Sequence, residues 1–335
     1  MKKSLLALAI MSAFSTVHAA NVQIYGVVDA GIDYIRSGGK SVAGVESGLA
    51  SDSRIGFRGG ENLGNGVEAK FVLEQGFNID SGSSIHSNSW FSRQAWVGLS
   101  NKDLGEIRLG RQHTPLYEIT GQLDPFSAGL AGNAVNYLGM GGYQLRVDNA
   151  VTYVSPSISG FKGKIQYGFG ETPGSMSDNR FWGLGGSYSV GNLGIGLAYS
   201  DQKLNIGNLD NQRRDLLLGA TYDFKPIKAH IAYGKTKNED NISATSDKID
   251  NYLVGISAPI GTNSTILASY IHSDVNDLTQ GKSNIWSLGY KHNLSKRTNV
   301  YTSYSYVSNQ DNVSLFSAGN GKNTNRFNFG VNHSF

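Results

Sequence analysis

Residues 22–35 read Val-Gln-Ile-Tyr-Gly-Val-Val-Asp-Ala-Gly-Ile-Asp-Tyr-Ile. At every second position Val22, Ile24, Gly26, Val28, Ala30, Ile32 and Tyr34 make one lane; Gln23, Tyr25, Val27, Asp29, Gly31 and Asp33 make the other. Successive side chains of a strand point to opposite faces, so this stretch is a strand with one apolar and one mixed face. The same two lanes recur down the chain. Phe161, Ile165, Tyr167 and Phe169 oppose Lys162, Lys164 and Gln166, and Ile227, Ala229, Ile231 and Tyr233 oppose Lys228, His230 and Gly234. Trp286, Leu288, Tyr290 and His292 oppose Ser287, Gly289 and Lys291. These segments are about ten residues long, the length a tilted membrane-spanning strand needs.

The pattern predicts sixteen strands, at 22–35, 51–60, 67–78, 90–100, 106–112, 145–155, 161–170, 181–190, 193–201, 212–223, 227–235, 249–258, 263–273, 283–293, 298–308 and 325–335. Short connectors with turn chemistry, such as 61–66, 101–105, 191–192 and 294–297, alternate with long ones at 36–50, 113–144, 236–248 and 309–324. Short turns on one rim and long loops on the other describe an outer-membrane β-barrel. A soluble sandwich also alternates, but its inner faces fill a dense apolar core. Here the second lane holds Gly, Ser, Asn, Lys and Asp, which suits a water-filled lumen. No fixed repeat marks a solenoid. The last strand carries Phe327, Phe329, Val331, His333 and Phe335 in one lane and ends on the aromatic.

Composition agrees. The 335 residues include 43 Gly, 17 Tyr, 14 Phe and no Cys, with 16% charged residues. Without Cys there is no disulfide framework, thiolate metal site or Cys nucleophile. A net charge of +3 gives no support to nucleic-acid binding. Met1-Lys2-Lys3, the apolar run Leu5–Phe14 and Val17-His18-Ala19 form a three-part secretory leader over residues 1–19, with 20–335 as the barrel. The run is too short to span a bilayer as a helix. Loss of Lys2 and Lys3 with the leader brings 29 Lys and Arg down to 27, against 26 Asp and Glu.

Three stretches carry a family resemblance: Gln23–Gly31; Ser53-Arg54-Ile55-Gly56-Phe57-Arg58-Gly59-Gly60-Glu61-Asn62-Leu63-Gly64-Asn65-Gly66; and Ser92–Leu99 running on to Leu109-Gly110-Arg111-Gln112. With Asp148-Asn149-Ala150-Val151 and the terminal Val331–Phe335, the chain resembles the trimeric general porins of Gram-negative bacteria, in particular the neisserial and β-proteobacterial branch. The resemblance implies a sixteen-stranded antiparallel transmembrane β-barrel, a homotrimer in outer-membrane lipid. Its third long loop, here 113–144, would fold into the lumen. Acids of that loop, Glu118 and Asp124, would face wall arginines at Arg54, Arg93 and Arg146. Gly26, Ala30 and Gly31 on the first strand are small enough for close subunit approach.

Parity supports part of this independently. Ile55 and Phe57 face lipid, which turns Arg54 and Arg58 to the lumen. Val147, Asn149, Val151 and Tyr153 share a lane, which puts Arg146 in the other. An Arg facing lipid at the midplane costs ~2–4 kcal/mol. Arg93 shares parity with the outward Phe91, Ala95, Val97 and Leu99, so the resemblance, or burial at a subunit interface, is needed to put it inward. Lys70, Lys162, Lys164 and Lys228 on inward lanes lean toward anions, opposed by Asp29, Glu68, Glu74 and Asp148.

Signals for catalysis are weak. No histidines stand at metal-ligand spacing, Gly-Leu-Ser at 98–100 lacks the flanks of a nucleophile elbow, and the glycines of 139–142 precede no phosphate-binding helix. His113 near Glu118 is the one hint of a rim enzyme. The reading is a passive channel for ions and small hydrophilic solutes, with no cofactor, no metal and no catalytic residues. The alternatives are a channel selective for phosphate, nucleotide or sugar, a surface adhesin using loops 236–248 and 309–324, and a barrel enzyme.

Overall fold

The computed structural model describes residues 21–86, 89–138, 144–206, 209–240, 245–276 and 280–335. The leader and the glycine run at 139–142 lie outside them. The first strands are β1 (Gln23–Ser37), β2 (Lys40–Ser47), β3 (Arg54–Gly64), β4 (Val67–Gly76), β5 (Gln94–Asn101) and β6 (Gly105–His113). Two helices follow, α1 (Pro115–Leu123) and α2 (Ala134–Tyr137). Then come β7 (Arg146–Val154), β8 (Phe161–Gly168), β9 (Phe181–Val190), β10 (Leu193–Ile206), β11 (Leu209–Asp223) and β12 (Lys228–Asp240). The chain finishes with β13 (Thr245–Ile260), β14 (Ser264–Asn276), β15 (Gly281–Asn293), β16 (Thr298–Asn309) and β17 (Thr324–Ser334).

From β3 onward each strand pairs antiparallel with the next, and β17 returns to β1 from Val27↔Ser334 to Ser37↔Thr324. The sheet therefore closes and leaves no free edge along the ring. Its seventeen segments fill sixteen places, because β2 and β3 share one. β2 pairs with the upper part of β1 from Ala30↔Ser47 to Ser37↔Lys40, and β3 with the lower part from Gln23↔Arg58 to Val27↔Arg54. Between them the chain leaves the wall at Gly48, whose φ of 72° suits glycine.

Burial is inverted relative to a soluble protein. Ile24, Ile165, Val254 and Leu288 lie exposed on the outer face, whereas Asp29, Gln166, Asn251 and Asn328 are buried inside. An apolar band outside and a polar interior are what lipid on one side and water on the other select.

Two expected loops are largely strand. Residues 36–50 form the β1–β2 hairpin, turning at Gly38 and Gly39 with φ of 56° and 84°. Residues 236–240 and 245–248 extend β12 and β13. Their outward lanes carry charge where lower positions carry apolar residues, so the alternation that marks a strand fades although the ladder continues. The lane through Val147 and Asn149 also needs correction. The β6–β7 register shifts between Gly110 and Gln112, Asn149 has φ 51°, and Val147 is buried with Ala150 and Phe181 rather than turned to lipid.

Candidate pore constriction

The segment after β6 turns inward. Thr114 caps α1, its Oγ1 accepting the Tyr117 N–H at 3.2 Å, and Pro115 opens the helix, where a missing N–H costs nothing. Leu116, Ile119 and Leu123 pack with Leu138 against inward side chains of the far wall, among them Leu217, Leu253 and Ile271. The wall makes room through glycine. A Cβ on Gly185, Gly196, Gly219, Gly255 or Gly289 would come within 2.6–2.9 Å of Pro115, Ile119, Leu123, Pro125 or Phe126. The glycines that the sequence presents as polar-lane filler are the seat of the loop.

The tip of the loop crosses to the opposite wall. Phe126 is fully buried with Leu130 against Leu49, Leu267 and Tyr301. The Leu130 N–H donates to the Leu49 carbonyl at 2.6 Å. The excursion between β2 and β3 thus clasps the tip, and Asp52 enters the lumen with it.

A cleft of about 370 Å³ remains between the loop and the near wall, lined by Asp52, Arg54, Glu74, Arg93, Tyr117 and Ser127 among others. Arg93 Nε donates to Glu74 Oε1 at 2.7 Å, and its Nη1 pairs with Asp52. Arg54 Nε lies 3.6 Å from Glu74 Oε2, and its Nη1 donates to Ser51 Oγ at 3.0 Å. Arg146 Nη2 lies 3.8 Å from Asp52 Oδ2, with the guanidinium 5.9 Å from the Tyr117 ring centre. Arg146 Nε and Nη2 have no hydrogen-bond acceptor among the described residues.

Arg54, Arg93 and Arg146 therefore converge on Asp52 and Glu74. Arg93 escapes the parity argument because β5 begins only at Gln94. Its own N–H bonds the Glu74 carbonyl from the preceding loop, so alternation does not govern its direction. Arg58 stands apart, four residues further down β3, with Nε on Gln23 Oε1 at 2.9 Å and its guanidinium over Tyr25.

The loop acids do not face the arginines. Glu118 Oε1 accepts from Lys164 Nζ at 2.9 Å on β8, and the same ammonium donates to the His113 carbonyl at 2.8 Å. Asp124 is buried and accepts the N–H groups of Phe126, Ala128 and Ala134 at 2.9, 2.8 and 3.0 Å. It is a brace within the loop, not a lining residue. Burial pushes its carboxyl up to about 6, against those three donors and Lys291. The carboxylates that meet the arginines are Asp52 and Glu74. Glu74 is visible in sequence as an inward acid, whereas Asp52 depends on an excursion that no alternation marks.

Fold and site define a class: a closed, transmembrane β-barrel with a polar lumen narrowed by an inserted loop. A family model described as Gram-negative porin matches residues 7–312, and the chain belongs to that family. It is 34% identical to an outer membrane porin protein of Bordetella pertussis, over 92% of this chain and 95% of that one. It is also 34% identical to outer membrane porin protein 32 of Delftia acidovorans, over 94% and 92%. Among solved structures, the anion-selective porin from Comamonas acidovorans superposes with a TM-score of 0.85 at 31% identity, over 94% of this chain and all of that one. The chain is a porin channel of the outer membrane.

Proposed function

We propose that the channel is passive and non-catalytic, carries ions and small hydrophilic solutes, and prefers anions weakly through Arg54, Arg93 and Arg146. The convergence of these three guanidiniums on two carboxylates in the remaining cleft carries this reading. Three positive charges against two leave a positive passage, and a ring of fixed charge in a narrow wet pore biases which ion enters. The Comamonas porin, described as anion-selective, agrees in sign. Glu118, which the rim-enzyme alternative would need beside His113, is engaged by Lys164. The adhesin alternative loses 236–240 and 245–248 to strand. Residues 1–19 act as a cleaved leader.

Assembly as a homotrimer belongs to the same proposal, but its small-residue support narrows. The Phe335 ring covers Gly26, and Gly31 faces Leu49 inside the barrel, which leaves Ala30. Exposed Val45 on β2, opposite Ile32 in the outward lane of Ala30, adds apolar surface nearby.

Liposome swelling with sugars of increasing size tests the passive reading. Rates should fall smoothly with solute size and rise linearly with concentration. A rate that saturates for one solute would favour a substrate-selective channel. Three equal conductance steps per insertion are expected of the trimer, and single steps would contradict it.

A further inference from the structure

A second cleft lies on the other side of the first turn of α1 from the constriction. His113 and Tyr117 line the upper cleft, whereas Glu118 and Gln122 line the lower one. The lower cleft holds about 180 Å³ between the helix and the barrel wall, toward the rim of the short turns. Its wall is the inward lane of β6 to β9. Arg108 stands opposite Thr152, Val154 opposite Lys164, Lys164 opposite Gly185 and Lys162 opposite Ser187. Alternation puts Lys162 and Lys164 on one face of β8, about 7 Å apart along the strand. Gly185 lets the wall come close under the helix, since a Cβ there would stand 2.8 Å from Pro115.

Two of the three cations in this cleft are engaged. Arg108 forks onto Glu106, Nε on Oε1 at 2.8 Å and Nη2 on Oε2 at 3.1 Å, and its guanidinium lies over the Trp96 ring, 4.5 Å from the centre. Lys164 is buried and uses two of its three N–H donors, on Glu118 Oε1 at 2.9 Å and on the His113 carbonyl at 2.8 Å. Lys162 is exposed and has no ion-pair partner among the described residues. Arg108, Lys162 and Lys164 against Glu106 and Glu118 leave one positive charge, and it sits on Lys162.

Glu118 is the member that can yield. Its side chain is 39% exposed, against 8% for Lys164. It stands in the first turn of α1, where the helix dipole favours a carboxylate with or without the lysine. An arriving anion can take its place on Lys164 without leaving it stranded. The donors that remain select the shape of that anion. The planar fork of Arg108, which matches a carboxylate, is taken by Glu106. What is left is two ammonium groups, the Ser187 hydroxyl and the Gln122 amide, which act as separate points around a tetrahedral oxyanion.

We propose that this cleft is a phosphate subsite on the inner side of the constriction: a phosphate dianion bridges Lys162 and Lys164 and displaces Glu118 from Lys164. The inference rests on the anion-preferring passage proposed above and adds a stopping place to it. Occupancy is brief, because a conducting site must also release its ion. The arginines set which sign of charge enters, and this cleft sets which anion lingers.

The test is block of chloride current by inorganic phosphate through single folded channels in a planar bilayer, at about pH 8, where a phosphate is doubly charged. Current in the wild type should fall along a saturating curve. Lys162→Gln should raise the half-blocking concentration about tenfold, the loss expected of one charge-assisted contact. Glu118→Gln, which removes the resident competitor, should lower it about tenfold. A strand signal in circular dichroism equal to that of the wild type checks that the variants fold. A phosphate effect that is linear and does not saturate would overturn the proposal, and so would block that Lys162→Gln leaves unchanged. Block lost in Arg54→Ala/Arg146→Ala but kept in Lys162→Gln would place the phosphate among the arginines instead. The anion preference is read separately, from the reversal potential in chloride alone. A cation-preferring wild type still blocked by phosphate through Lys162 would contradict the reading of the constriction and leave this subsite standing.

Discussion

Arg93 shows why single residues in this lumen cannot be read one at a time. Its guanidinium is buried between Glu74 and Asp52, and Glu74 is itself buried and also receives Tyr25 Oη at 2.9 Å. Removing one partner leaves a carboxylate without its cation, which costs ~3–5 kcal/mol for a buried pair. Arg93→Ala should therefore unfold at lower denaturant concentration as well as lose anion preference. Arg54→Ala, whose partners are looser, should change preference with a smaller loss of stability. Equal denaturant midpoints for the two variants would contradict this ordering. Asp124 makes a different prediction. Its carboxyl titrates at about 6 in the folded protein against an ordinary 3.8, so the unfolded chain gives up this proton at lower pH. The stability it contributes is full below 3.8, is lost as pH rises through 6, and amounts to about 3 kcal/mol. Denaturant titrations between pH 3.5 and about pH 7.5 should show this loss in the wild type and not in Asp124→Asn. Identical pH profiles would mean that the three N–H donors outweigh burial. Sequence showed Arg54 and Glu74 as inward charges, because parity in a regular strand is a local property; the lane from which Arg146 was read breaks at Asn149, so its place beside Asp52 does not follow from parity. It could not show that Asp124 turns its carboxylate into the loop, since Asp-Pro-Phe-Ser reads equally well as a lining acid or a turn brace.

At the scale of elements, strands were legible wherever lipid lies on one side and water on the other, because that contrast writes the alternation into the chain. Legibility stopped where the contrast stops. β2 and the upper ends of β12 and β13 continue the wall outside the zone in which outward residues must be apolar, and the excursion at 48–53, level with Asp29, leaves the wall for the lumen. The inserted loop was recognisable as the longest connector, but its seat was not. The glycines under α1 and the turn after it are spread over five strands and come together only when the barrel closes. Gly196→Val puts a branched side chain where a Cβ would already stand 2.9 Å from Ile119. Overpacking of this kind costs ~1–3 kcal/mol, and the loop is the part that can move. Single-channel current should fall and become noisier, while the barrel still assembles. Full, quiet conductance in Gly196→Val would show that α1 does not rest on this track.

As a whole molecule the chain is a ring with two unlike halves. The inserted segment covers the inner wall from β8 to β16, where apolar residues and glycines receive it, and leaves the passage against β3 to β7, where charge is gathered. In the proposed function, Arg54, Arg93 and Arg146 outweigh lysines elsewhere in the lumen, because an ion using this passage comes within reach of them and is not screened by a wide column of water. The direct measurement is the reversal potential of a single folded channel in a planar bilayer under a salt gradient, for the wild type and for Arg54→Ala/Arg146→Ala. The wild type should reverse on the anion side, and the double variant should shift toward cations with its conductance retained. A wild type that reverses at zero or on the cation side, or a double variant whose reversal potential does not move, would contradict the assignment of the constriction to these arginines.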